Sequence, residues 1–271
     1  MKLDMGAAWN DAVAMIKANT EVMAVIAGVF FFLPSLAAVF LVPPLEAPPG
    51  ADIDVVTDIL VGFYSDNALP LVLLTLTSAI GFIALLALLR DDRKPTVGDA
   101  IKTGFFGLVS YVGSQLMVAL GLAVIVGVLV GIPASLGMDA IAAVAALVVA
   151  VLFVYVMIKL SMVTPVIAIE RNLNPFGIVR RSWQLTKGNS LRLLLFYLLL
   201  GLAFGVISVL IGAIAGLLFA LLGEGEIAEI ANGAVSGLTS AAGSLVFAAI
   251  LAAVHRQLAG PSTGRIAETF E

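Results

Sequence analysis

The stretch "NPFGIVRRSWQLTKGNS", residues 174–190, lies between two long apolar runs and decides how the chain is organised. It carries Arg180, Arg181 and Lys187, together with Trp183, one of the two tryptophans of the chain. Such a stretch either loops between membrane spans, crosses the membrane, or lies on the membrane surface. The composition of the whole chain is the first guide to which of these applies.

The chain has the composition of an integral membrane protein. Of its 271 residues, 61% are hydrophobic and 12% are charged, whereas soluble domains average about 45–50% apolar and about 25% charged residues. It contains no cysteine and a single histidine, His255. Disulfides, thiolate metal sites and histidine-rich metal sites are therefore excluded, and we interpret His255 as a contact for lipid headgroups.

The sequence contains six apolar runs of the length that a bilayer requires, about 20 residues each. They are residues 22–42, 68–89, 108–132, 140–169, 193–222 and 234–254. The first run is longer than the apolar region of a signal peptide, about 7–15 residues, so we interpret it as a span. Pro34 and Pro165 lie within these runs and predict kinks, because proline removes a helical hydrogen bond.

Charge assigns an orientation to these spans. Outside the runs, lysine and arginine occur only at the termini and in the connections after the second and fourth runs. The other three connections carry acidic residues alone: Glu46, Asp52, Asp54, Asp58, Asp66, Asp139, Glu224, Glu226 and Glu229. The positive-inside rule then predicts that both termini are cytoplasmic. Within the first outer connection, "DVVTDILVGFY" at 54–64 is either an amphipathic surface helix or a solvated loop.

Residues 174–190 have the features of a short helix that lies on the membrane surface. Asn174 is a good N-cap, Pro175 suits the first helical position, and Gly188 is placed to end the helix. At 100° per residue, the apolar side chains fall on one arc and most of the basic side chains on the other. A cationic amphipathic helix with tryptophan on its apolar side lies in the interface plane. We therefore predict a cytoplasmic elbow helix before the fifth span.

Two other stretches resemble this elbow. Residues 3–19 align without gaps on residues 173–189, and residues 96–111 align less well. We therefore predict an all-α membrane protein with six transmembrane helices and three interfacial amphipathic elbow helices, in a single domain over residues 1–271. Three tandem units, at about 3–90, 95–170 and 173–256, precede a short cytoplasmic tail at 257–271. Parallel repeats of this kind predict a pseudo-threefold bundle.

Small residues predict where the helices approach each other closely. Glycines four residues apart allow tight helix packing in lipid, and four such pairs occur: Gly127/Gly131, Gly201/Gly205, Gly212/Gly216 and Gly233/Gly237. The last span is also rich in small polar residues, which predicts a buried central position for it. These residues are Ser236, Thr239, Ser240 and Ser244.

Lys159 is the one strongly charged residue within an apolar run. An ionisable residue inside the membrane is a functional candidate by default. Three roles remain open: snorkelling or structural pairing, binding of a lipid phosphate or another anion, and transport. Ser110, Ser114 and Gln115 are its candidate polar neighbours. The candidate contacts for anionic headgroups are Lys159, Arg180, Arg181, Trp183, Lys187 and Arg192.

No motif predicts an enzyme. The sequence has no GxSxG, HExxH or P-loop pattern, each of which places a nucleophile, a metal or a phosphate. We expect no catalytic residue, no metal site and no cofactor. We expect Asp91, Asp92 and Glu170 to pair with the arginines next to them in sequence and to be solvated.

The segment "VTPVIAIERNLNPFGIVRRSWQLTKGNSLRLLLFYLL", residues 163–199, resembles a group of bacterial inner-membrane proteins. They have the membrane domain of glycerophosphoryl diester phosphodiesterase type. The resemblance rests on the proline before a Glu-Arg turn, on the Arg-Ser-Trp-x-Leu-Thr-x-Gly pattern at 181–188, and on the apolar span that follows. In that family the membrane domain is sometimes fused to a soluble catalytic barrel. This sequence shows no such barrel, so the resemblance implies a six-span inner-membrane module without phosphodiesterase activity.

Two functions remain open at this stage. The first is a non-enzymatic module that associates with phospholipids through anionic headgroups on the cytoplasmic face, in lipid or envelope homeostasis. The alternative is a transporter or channel for a small molecule or lipid along the bundle axis. A continuous polar stripe along a cavity favours transport, whereas acyl chains in that space favour lipid association. We expect no nucleic-acid partner, and a homo-oligomer or another membrane protein remains open as a partner.

Overall fold

Every regular element of the fold is a helix in the residues that the computed structural model describes, 2–45, 48, 50–90, 95–220 and 225–260. Six helical segments are long and apolar enough to cross a membrane, which confirms the predicted number of spans. They are Met5–Leu41, Ala68–Leu88, Val97–Ser135, Asp139–Ala168, Ser190–Phe219 and Ile227–Ala259. Predictions that fall on Glu46, Asp91, Asp92, Glu224 and the tail after 260 lie outside the described residues.

The first span is irregular near Pro34, where a kink is predicted. Helix α1, Met5–Ala27, is kinked at Asn19 and passes into a π-helical turn at Gly28–Phe32 before α2, Leu33–Leu41. Pro34 lies just after that turn. Because proline cannot donate a backbone hydrogen bond and crowds the preceding turn, the helix widens there.

Four further helices, α3 to α6, follow the first span. The connection after the first span contains helix α3, Ile53–Asp66, so the stretch at 54–64 is a helix and not a loop. Helix α4, Ala68–Leu88, is the second span. The third span is α5, Val97–Val126, followed by a second π-helical turn and the short helix α6, Ile132–Ser135.

The fourth span is broken near Pro165, as predicted. Helix α7, Asp139–Leu160, ends at Ser161, and α8, Val163–Ala168, begins two residues later. Pro165 has no N–H to bond the carbonyl of Ser161, four residues earlier, so the ladder is interrupted at that residue.

The basic stretch at residues 174–190 contains helix α9, Pro175–Leu185. Asn174 caps it as predicted, because its Oδ1 accepts hydrogen bonds from the backbone N–H of Phe176 and of Gly177 at 3.1 and 3.4 Å. Gly188 adopts a left-handed conformation with φ of 79°, which suits the end of a helix. Helix α10, Ser190–Ala220, and helix α11, Glu226–Ala259, are the last two spans.

The other two elbows are not separate helices. Asp4 and Thr96 cap α1 and α5 at the positions aligned with Asn174. Helix α5 nevertheless runs from Val97 to Val126 without a break, and the first elbow continues into its span beyond the kink at Asn19. The three elbow helices and the pseudo-threefold repeat stay predictions.

The hydrophobic core lies at one end of the bundle, here called the elbow end. The N-terminus of α1 meets the start of α10 there, since Leu3 N donates to Asn189 Oδ1 at 2.9 Å. The buried runs of the chain converge on this end: residues 83–89, 158–160, 165–168 and 248–255. Most of α10 is exposed towards the opposite end. The bundle is therefore tightly packed at the elbow end and open beyond it.

The glycines identify the helix contacts only in part. A methyl group on Gly233 or Gly237 would meet Val39 or Phe32, so this pair packs closely, as predicted. The other three predicted pairs are wrong, because a methyl group there would meet no side chain within 4 Å. Close approach occurs instead at three unpredicted positions, Gly81 against Phe30, Gly104 against Ile80 and Gly107 against Ile167.

Candidate functional site

A large cavity opens among the spans on the open side of the core. Its volume is about 1170 Å³, and its walls come from α4, α5, α7, α8, α10 and α11. Pockets for drug-sized ligands are commonly about 300–1,000 Å³. The cavity, here called the α11 cavity, is thus large enough for a ligand with long chains.

The α11 cavity has two walls of different chemistry. Helix α11 presents a polar stripe, in which positions three or four residues apart share one helical face. Its members are Asn232, Ser236, Thr239, Ser240 and Ser244. Helices α7 and α10 contribute mostly apolar side chains, including Phe153, Val154, Met157, Phe204 and Ile211. Among the described residues that line the cavity, none is charged.

Much of the polar stripe has no partner within the described chain. Thr239 Oγ1 donates to the carbonyl of Val235 at 2.8 Å, but the side chains of Asn232, Ser236 and Ser240 make no hydrogen bond to another described residue. A polar group in the membrane interior needs a partner, since lipid chains offer none. The small polar residues of the last span therefore face the cavity, where they can bond its contents, instead of being buried at the centre as predicted.

The cavity is closed at the elbow end. Every residue from Ala248 to His255 is buried, directly after the part of α11 that lines the cavity. Below it, Glu170 joins two elements: its Oε1 lies 3.0 Å from His255 Nε2, and its Oε2 lies 2.9 Å from Arg181 Nε. These contacts hold the end of α11 against α9 and the turn before it.

The contacts at this junction favour the ionised form of Glu170. Burial opposes its ionisation, but hydrogen bonds from His255 and Arg181 outweigh burial and lower its pKa from 4.5 to about 2. Two expectations were wrong here. Glu170 pairs with residues distant in sequence and not with the adjacent arginine, and His255 is buried against Glu170 and does not face headgroups.

Lys159 and Trp183, two predicted site residues, are brought together. The Lys159 ammonium lies 5.5 Å from the centre of the Tyr155 ring and 5.6 Å from that of Trp183. It also donates to the carbonyl of Thr186 at 3.4 Å. Only 3% of Lys159 is exposed. A lysine near aromatic faces gains cation–π attraction in place of hydration.

The backbone at Lys159 is also fixed to α9. Its carbonyl accepts a hydrogen bond from Ser182 Oγ at 2.7 Å. The expected neighbours lie elsewhere: Ser110 Oγ donates to the carbonyl of Leu173 at 2.8 Å, and Gln115 lines the α11 cavity. Lys159 thus belongs to the contact between α7 and α9.

The remaining predicted site residues differ in their surroundings. Arg181 is paired with Glu170, and Arg192 Nη1 donates to the carbonyl of Leu3 at 3.0 Å. Arg180 and Lys187 are exposed, and neither pairs with a carboxylate of the described chain. On α9 and the turn after it, these two residues are the ones placed to meet an external anion.

Comparison with known proteins gives one match. Residues 132–252, from α6 to the buried end of α11, match the family model described as the membrane domain of glycerophosphoryl diester phosphodiesterase. The matched segment includes Lys159, Glu170, the whole of α9 and the polar stripe. Neither the curated proteins nor the solved structures contain a match to the chain. The resemblance of residues 163–199 is thereby confirmed, and residues 132–252 carry the family pattern of the membrane domain of glycerophosphoryl diester phosphodiesterase.

Proposed function

We propose that this chain is a non-enzymatic membrane module that binds phospholipid, with acyl chains lodged in the α11 cavity. The observation that carries the proposal is the pair of unlike walls in that cavity. Apolar side chains of α7 and α10 suit hydrocarbon chains, and the unpartnered stripe of α11 suits ester and hydroxyl oxygens. The proposed role of such a module is in lipid or envelope homeostasis at the bacterial inner membrane.

The basic residues at the elbow end are the proposed contacts for anionic headgroups. Arg180 on α9 and Lys187 in the turn after it are exposed, and Trp183 is 40% exposed beside them. Tryptophan and basic side chains at the interface favour headgroup depth. Lys159, Arg181 and Arg192 complete the proposed set, although each also contacts another part of the chain.

The chemistry of the cavity is the reason to propose a non-enzymatic role. General acid–base catalysis needs a titratable group within hydrogen-bond reach of the substrate. Among the described residues that line the α11 cavity, the titratable groups are the phenols of Tyr111 and Tyr197, and there is no aspartate, glutamate, lysine or histidine. Glu170 and His255, which form a titratable pair, are occupied with each other at the closed end.

Transport is the second candidate, and the polar stripe of α11 is the observation that favours it. A transported molecule needs access from both sides of the membrane in turn. In this structure the elbow end is packed from Ala248 to His255. A transport cycle would therefore require the junction of Glu170 with His255 and Arg181 to open.

One experiment separates the two functions. The protein is extracted in mild detergent and analysed by native mass spectrometry, and it is also placed in liposomes for flux measurements with labelled lipid. Lipid binding predicts a retained diacyl phospholipid, together with a higher Tm when lipid is restored after delipidation. A protein that emerges without lipid and gains no stability from added lipid would contradict the proposal, and protein-dependent flux would favour transport.

A further inference from the structure

A second cavity of about 510 Å³ lies at the elbow end, apart from the α11 cavity. It is formed by the end of α4, the first turns of α5 and the turn that follows α8. Its charged lining residues are Arg90, Lys102, Arg171 and Asp99. We call this cavity the basic pocket. None of its residues belongs to the headgroup contacts named above.

The described residues that line the basic pocket carry more positive than negative charge. Its one described carboxylate, Asp99, accepts hydrogen bonds from Thr96 Oγ1 at 2.8 Å and from Thr96 N at 3.4 Å, and it also interacts electrostatically with Lys102 and Arg171. Lys102 and Arg171 form no ion pair with a carboxylate of the described chain. By contrast, Arg181 on α9 is paired with Glu170.

Arg171 reaches the pocket from an unusual backbone conformation. Its φ is 54°, and it is the one non-glycine residue of the described chain with a positive φ. Left-handed backbone is disfavoured for residues with a Cβ, so glycine is the usual choice there. Strained backbone at such a place is a reason to look for a function of the side chain.

The mouth of the basic pocket meets the lipid-facing surface. Phe106, which lines it, is 66% exposed, and Leu173 is 55% exposed. A molecule with a charged group and hydrocarbon chains can therefore place the charge among the basic side chains and the chains along Phe106. Basic pockets between transmembrane helices on the cytoplasmic side are known to hold phospholipid headgroups.

We propose that the basic pocket binds a phosphate group, held by Lys102 and Arg171. Arginine suits phosphate because its guanidinium offers paired donors, and lysine adds a point charge. The phosphate belongs either to an anionic phospholipid headgroup or to a soluble phosphate ester. This site is independent of the proposed function, because the α11 cavity and the contacts of α9 use other residues.

The test compares charge removal inside and outside the pocket. Lys102→Gln and Arg171→Gly each remove one cation from it, and Lys17→Gln removes one exposed cation from α1 as the matched control. Arg171→Gly also relieves the left-handed backbone, so its Tm should equal or exceed that of the parent. The effect of this variant on binding then cannot be attributed to misfolding.

Two probes distinguish the sources of phosphate. Native mass spectrometry counts phosphatidylglycerol retained from nanodiscs of phosphatidylglycerol and phosphatidylcholine, and calorimetry measures inorganic phosphate binding in detergent. Each pocket variant should weaken the binding of whichever of these two probes the parent binds by roughly tenfold, as loss of a charge-assisted contact does. Selective retention of phosphatidylglycerol identifies a lipid headgroup, and binding of inorganic phosphate alone identifies a soluble ester.

The Gly201→Leu variant, which narrows the α11 cavity, should leave binding in the basic pocket unchanged. The two proposals can therefore fail separately. The proposal for the basic pocket is overturned if the parent binds neither probe selectively, or if both pocket variants bind as the Lys17→Gln control does.

Discussion

The Nε2 atom of His255, near the end of the last span, lies 3.0 Å from Oε1 of Glu170, in the turn after the fourth span. The other oxygen of the same carboxylate bonds Arg181 on α9. One side chain thus fastens three separate parts of the chain together. This junction keeps the elbow end packed, while the α11 cavity remains open on its other side.

Removal of this carboxylate should destabilise the protein. Glu170→Gln keeps the size of the side chain but loses the charge that holds Arg181 and His255. We expect the free energy of unfolding to fall by about 1–2 kcal/mol, less than the full pKa difference implies, because the side chain is partly exposed to solvent. Thermal unfolding in detergent measures the loss. Glu21→Gln, an exposed carboxylate without a described ion-pair partner, is the control and should unfold like the parent.

The lowered pKa of Glu170 predicts how the stability of the protein depends on pH. In the folded protein its pKa is lowered to about 2, and its ordinary value is 4.5. Its contribution is therefore complete above about pH 4.5 and is lost as pH falls towards 2. The parent should lose more stability over this range than Glu170→Gln does. If the stability of the parent and that of Glu170→Gln fall equally between pH 4.5 and pH 2, then the ionised Glu170 contributes nothing to stability.

The two neighbouring arginines of α9 should give different results. Arg180 is exposed, so Arg180→Gln should lower the preference for anionic over zwitterionic lipid in mixed nanodiscs without a change in Tm. Arg181 pairs with Glu170, so Arg181→Gln should lower Tm. The lipid effect should weaken with salt, because such attraction falls off within a Debye length of about 8–10 Å. If the parent and Arg180→Gln show the same lipid preference at low salt, Arg180 does not select anionic headgroups, and its charge serves only to orient the protein in the membrane.

Lys159→Met tests whether the buried ammonium contacts a headgroup. Methionine has a similar length and packs well against aromatic rings, so the fold should keep its stability within about 1 kcal/mol. If Lys159 is a headgroup contact, the amount of co-purifying anionic lipid should fall. Native mass spectrometry measures that amount. Unchanged lipid content would leave Lys159 with a structural role between Tyr155, Trp183 and Thr186.

The orientation in the membrane is testable with reporters. The charge distribution predicts that both termini are cytoplasmic and that the connections containing Gly50 and Gly225 are outside. Reporter fusions at these two glycines should give the signal of the outer side. A cytoplasmic signal at either one would contradict the predicted topology.

Sequence reasoning was most successful where the signal is local. The six spans follow from hydropathy, and the start of α9 follows from Asn174 and Pro175, whose side chains act on their own helix. The break at Pro165 is local for the same reason. Each of these features depends on a few neighbouring residues, and no knowledge of distant contacts is needed.

The features that sequence reasoning missed depend on distant partners. Glycine spacing cannot tell a helix contact from an open wall: Gly237 packs on Phe32, whereas Gly201 faces the α11 cavity. The link between Glu170 and His255 spans 85 residues, and hydropathy carries no signal for it. The polar stripe of α11 was visible in the sequence, but whether it is buried or faces a cavity depends on how α10 packs.

The central claim is that lipid chains occupy the α11 cavity, and two glycines of α10 allow a matched test. Gly201 lines the cavity and Gly205, one turn later, does not; a methyl group on either would meet nothing within 4 Å. Leucine at either position improves helix propensity equally, so only Gly201→Leu should fill space that lipid needs. Native mass spectrometry should show lipid retention in Gly201→Leu reduced at least about tenfold, or ~1.4 kcal/mol, with Gly205→Leu like the parent. Equal lipid retention in both variants and the parent would contradict occupation of the cavity by lipid.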